Sequence, residues 1–85
     1  MRDLDISLER YRAARAKLDE AVAAGATDAM IERLLDRAID AAAAYIEMPA
    51  EVPQDLADKI EVIIADGDWS EHATVLLCDA RRLAA

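Results

Sequence analysis

Met48-Pro49-Ala50-Glu51-Val52-Pro53 decides how the chain is read. Each proline pushes the residue before it out of the helical region, so a helix arriving from upstream stops here. Pro53 is well placed as the first residue of a new helix, because its missing N–H is one that a first turn leaves unpaired anyway. The stretch is thus the chain's one linker, with helical patterns on both sides.

Upstream, Ile31, Leu34, Leu35, Ala38, Ile39, Ala42, Tyr45 and Ile46 recur at threes and fours and predict a helix over 28–47. Thr27 is its N-cap, and Asp28 suits the positive end of the helix dipole. The run Ala41–Ala44 offers little side-chain bulk, so another helix can approach closely. Before it, Leu4, Leu8, Tyr11, Leu18 and Val22 predict a helix over 5–24, closed by Gly25, which takes the left-handed conformation without steric cost. Arg15 falls inside that apolar stripe. It either snorkels its head to water or pairs with an acid across an interface.

Downstream, a helix over 53–65 is expected to turn Leu56, Ala57, Ile60, Ile63 and Ile64 inward and to end at Asp66-Gly67. Asp68 and Glu71 form a D-x-x-E variant of the capping box and start a helix over 69–83. Trp69, Ala73, Leu76, Ala80 and Leu83 are its expected core stripe, and Val75 and Leu77 widen the apolar arc. Arg81 and Arg82 favour the negative end of the dipole. The fold class is all-α: a single domain, four-helix-bundle-like, of one long and one short helical hairpin. The residues expected in its core are Leu8, Tyr11, Leu18, Leu35, Ala38, Ile39, Ala42, Ile60, Ile63, Trp69, Leu76 and Ala80.

The chain has 85 residues, two glycines, two prolines and a net charge of −8. A core of this size is thin. Acids at positions 3 and 5 argue against a secretory leader, no apolar run reaches the roughly 20 residues of a membrane span, and the lone Cys78 cannot form an internal disulfide. The expected compartment is the cytoplasm. Residues 48–72 carry one base, Lys59, against seven acids, so direct binding to nucleic acid or anionic lipid is not expected.

Pro49-Ala50, Leu56-Ala57 with Lys59, Asp68-Trp69 and Asp79-Ala80-Arg81-Arg82-Leu83 together form a pattern over residues 45–84. It resembles small uncharacterised helical proteins of alphaproteobacteria and their prophages. The resemblance implies a bacterial or phage origin and carries no activity with it.

Asp66-Gly67-Asp68-Trp69-Ser70 opens like a calcium loop, but Glu71 and Leu77 stand where the loop needs glycine and a bidentate glutamate. His72, the only histidine, reads as a boundary residue, and one His with one Cys makes no zinc site. No nucleophile–base set and no glycine-rich phosphate loop is present. No catalytic, metal or cofactor residue is therefore assigned, and the chain is read as non-enzymatic. The expected role is a regulatory or accessory protein-binding module that forms a homodimer through helix four or the long hairpin. Candidate partner-binding residues are Glu51, Asp58 and Glu61 on an outer acidic face, Arg15, and Val75 and Leu77 on helix four. One alternative is an acidic inhibitor that imitates nucleic acid toward a basic protein. Another is a small metal- or ligand-binding protein.

Overall fold

The computed structural model describes residues 1–85 as four helices without strands: α1 (Asp3–Ala23), α2 (Asp28–Glu47), α3 (Pro53–Asp66) and α4 (Trp69–Ala84). The ends fall within two residues of those the sequence predicts. α1 closes in a Schellman motif: Gly25, at φ 72°, donates to the Val22 carbonyl, and Ala26 N–H donates to that of Ala21. The Thr27 hydroxyl accepts from Met30 N–H and opens α2. At the second turn, Gly67 lies so close to α3 that a Cβ there would stand 2.7 Å from Ile63 Cα, so only glycine fits. The expected capping box at Asp68 forms differently: the Asp68 carboxylate accepts from the Ser70 N–H and hydroxyl, not in exchange with Glu71.

α1 and α2 pair along their length, with Ala38 and Ala42 buried at the seam. The small residues do what their size suggests and let the helices approach. α3 and α4 form the shorter hairpin, and it packs over one end of the long one only. The core lies there, built from Leu4, Leu8 and Tyr11 of α1, Ala42, Tyr45 and Ile46 of α2, and Val62 and Ile63 of α3, with Leu76 of α4 against it. Beyond Arg15 the long hairpin is uncovered, and only Leu18 and Ala38 are buried there. The molecule is accordingly thin and extended, 48 × 30 × 15 Å. Its radius of gyration is 13.9 Å, against about 12 Å for a compact chain of this length.

Several expected core residues lie outside the core. Leu35 and Ile39 are exposed because the second hairpin does not reach them, and Ile60, Trp69 and Ala80 because α3 and α4 are rotated about their axes. At about 100° per residue, the buried face of α4, marked by His72 and Asp79, lies roughly 80° from the stripe through Trp69 and Ala80. The buried face of α3, marked by Asp55, Lys59, Val62 and Ile63, lies roughly 135° from the stripe through Ile60 and Ile64. His72 is consequently buried rather than at the boundary.

Burial separates the costs of truncation along α2. Ile46→Ala should destabilise by about 2–4 kcal/mol, the usual cavity penalty. Leu35→Ala should cost about 1 kcal/mol or less, as expected for a side chain that keeps much of its contact with water. Urea unfolding of the two variants checks the difference.

Candidate functional site

Three polar clusters hold the second hairpin in place. In the first, the Arg2 guanidinium donates to Asp5, Glu51 and Asp55, with both Asp55 oxygens engaged at 2.8 and 2.9 Å. Asp55 also accepts from Glu51 N–H and Val52 N–H, so it caps the entry to α3, where Val52 has no acceptor of its own. The Arg2 bonds, helped by those two N–H groups, hold the Asp55 carboxyl well below the usual carboxylate range despite its burial.

In the second cluster, Asp66 at the end of α3 accepts from the Tyr11 hydroxyl and from Arg15 Nη1, the latter at 2.6 Å. Burial, then the adjoining Asp66 carboxylate, pushes the Tyr11 hydroxyl up to about 12. These two clusters join α1 to α3 through side chains, without close backbone approach.

The third cluster is the deepest. Lys59 has 0% exposure and donates to Asp79 at 2.6 Å and to the Met48 carbonyl. Asp79 accepts further from Ala50 N–H at 3.3 Å and Arg82 at 2.7 Å, while Arg82 reaches the Ala50 carbonyl at 2.6 Å. Burial alone would raise the Asp79 carboxyl, but the bonds from Lys59, Arg82 and Ala50 outweigh it and hold it below its ordinary value. Ala50, Lys59, Asp79 and Arg82 all belong to the pattern on which the resemblance of residues 45–84 rests. The structure brings them into one knot around the linker.

Turning this polar ridge inward leaves the apolar ridge outside. Ile64 is 70%, Leu77 50% and Trp69 49% exposed, and Ala57, Ile60, Ala73 and Ala80 are exposed beside them. Ile60 and Ile64 lie one turn apart on α3, and Trp69, Ala73, Leu77 and Ala80 follow at threes and fours on its antiparallel neighbour. By helical periodicity they fall on the sides of α3 and α4 away from the buried faces and line up as an apolar strip, with the exposed Glu61 and Arg81 at its margins.

The candidate residues are dispersed. Arg15 pairs within the chain, with Asp66 at 2.6 Å and Asp19 at 3.3 Å, so its acids are intramolecular. Glu51 pairs with Arg2 at 2.8 Å. Asp58 accepts from Gln54 and, with Glu61, lines a 180 Å³ cleft against Leu8, Tyr11, Arg12 and Val62, so these two acids face α1 and form no outer sheet of charge. Asp55 and Asp66, two of the seven acids of residues 48–72, are withdrawn into ion pairs. Val75 is half-buried, and only Leu77 belongs to the exposed strip. Sequence reasoning missed Lys59 and Asp79 as a pair, although a lone lysine among seven acids was the signal.

Elsewhere, Arg15, Leu18, Asp19, Val22, Ala23, Ile31 and Leu35 line a shallow groove of 410 Å³ on the uncovered part of the long hairpin. No three His, Cys, Asp or Glu side chains converge as metal ligands, and no helix is long and apolar enough to cross a membrane. The chain matches no protein family, no curated protein and no solved structure.

Two outcomes follow from the ion pairs. A depressed carboxyl lends stability above its unfolded value, near 4, and loses it as pH falls through the lower folded value. The melting temperature should therefore fall as pH drops below about 4, while Asp55 and Asp79 protonate. Arg2→Ala should shrink that acid dependence in a series of melts. Lys59→Met should cost about 3–5 kcal/mol, because it removes one partner of a buried pair. The double variant Lys59→Met/Asp79→Leu should lose less than the two single changes together, as read by a double-mutant cycle.

Proposed function

We propose that the protein is a non-enzymatic, cytoplasmic protein-binding module, regulatory or accessory in role, that docks a partner through the outer face of its second hairpin. The uncharged strip through Ile60, Ile64, Trp69 and Leu77 supports this reading. Single exposed apolar residues are ordinary on a surface, whereas a contiguous apolar strip marks an interaction site. Trp is also among the residues that most often anchor interfaces.

The acidic-inhibitor reading has less to stand on. Asp55 and Asp66 are buried in ion pairs and Glu51 is paired with Arg2, so the negative charge of residues 47–71 is partly neutralised within the chain. A bacterial or phage setting, implied by the resemblance of residues 45–84, suits a small accessory protein of this kind.

A photo-crosslinking amino acid placed at Ile64 or Leu77 should capture a partner chain in cells, copies of this chain included. The same group at Ala13, on the exposed side of α1, should not. Absence of any crosslinked species from both strip positions would reject the module.

A further inference from the structure

We infer that the occupant of the strip is a second copy of this chain, paired antiparallel about a two-fold axis. The inference rests on the protein-binding reading and names its partner.

Charge is the first argument. A chain of net charge −8 meets its own kind most readily where it carries no charge. The strip is such a place. A basic partner would find no acid on it, and an acidic partner would find no base. An uncharged face is self-complementary, as a two-fold interface requires.

Area is the second. α3 and α4 have 14 and 16 residues. Two such helices side by side present a face of about 20 by 22 Å. That is a projected footprint of about 450 Å², near the lower end of stable interfaces once side-chain relief is added. The accessible surface of the chain is 5524 Å², against about 5,000 Å² for a folded monomer of this mass. The strip shares that excess with the uncovered half of the long hairpin, where Val22, Met30, Leu35 and Ile39 are also exposed.

The ends of the hairpin give the third argument and fix the orientation. The turn end carries Asp68 and Glu71, both exposed. The other end of α4 carries Arg82, which is bound to Asp79 and Ala50, and Arg81, which is exposed and has no carboxylate partner in the chain. Antiparallel pairing brings Arg81 of one copy beside Asp68 of the other, and symmetry makes the contact twice. The axis then passes near Ala73 and Leu77, where the small Ala73 lets the two layers approach. The product is a four-helix layer made of two short hairpins.

Light scattering at micromolar concentration should give about twice the chain mass of 9.3 kDa. Emission of Trp69, the only tryptophan, should shift to shorter wavelength as concentration rises. Ile64→Lys/Leu77→Lys should return the mass to that of one chain while the helical circular dichroism is kept, because both side chains are exposed. Arg81→Glu should raise the dimer Kd by roughly three- to tenfold, the scale of an exposed ion pair made twice. Arg33→Glu, on the exposed side of α2, should leave it unchanged. A single-chain mass up to hundreds of micromolar would overturn the second copy, as would a dimer that survives both lysine substitutions. If the chain is monomeric and Ile64 crosslinks a different protein, the second copy falls and the module stands. If the chain is monomeric and nothing is captured, both fall.

Discussion

The linker between the hairpins has no helix or strand to pair its backbone, and the position of the second hairpin follows from that. Met48 and Ala50 present carbonyls, and Ala50 an N–H, at the junction where three helices meet. Buried main-chain groups need partners, and an apolar residue supplies none. Lys59 and Asp79 supply them, with Arg82 as a third member. A lysine at 0% exposure is tolerated only because its charge meets a carboxylate and a carbonyl together. α3 and α4 must both turn toward the linker to make these bonds, and their rotation is thereby fixed.

That rotation accounts for the rest of the architecture. The polar ridge of each short helix is used inward, so its apolar ridge faces outward. Arg2 and Asp55 clamp the start of α3 to the start of α1, and Tyr11 and Arg15 clamp its end through Asp66. The short hairpin is held at both ends against one half of the long one, and the other half is left with a two-helix thickness. Thinness, an extended outline and an uncovered apolar strip are three results of one packing choice.

Helix number, helix ends and the division into long and short hairpins were legible because they depend on local chemistry: prolines at 49 and 53, glycines at 25 and 67, Thr27 and Asp68 as caps. The inner faces of α1 and α2 were largely legible too, since those helices are paired by apolar and small residues such as Leu8, Leu18, Ala38 and Ala42. The faces of α3 and α4 were not. Helical periodicity assigns the most apolar ridge to the core, and it has no means of weighing the demand of an unpaired linker carbonyl eleven residues from Lys59. Arg15 was recognised as a misfit in its stripe, but its partner, Asp66, lies 51 positions away and no spacing rule connects them. Asp55 and Asp66 likewise count only as net charge in sequence, because the partners they accept from, Arg2, Tyr11 and Arg15, lie more than fifty positions away.

The two possible rotations of the short hairpin can be compared by magnitude. With the apolar ridges inward, Ile60, Ile64, Trp69 and Leu77 would be covered. Covering these partly exposed side chains would gain on the order of 3–6 kcal/mol together, but the same rotation would bring Val62 and Ile63 out of the core and lose about as much. The same rotation would strand three linker backbone groups in the junction, at a cost of about 1–3 kcal/mol each. Within one chain the linker bonds therefore tip the balance toward the observed rotation. The outward apolar ridge is thus the consequence of a packing that satisfies the linker backbone first.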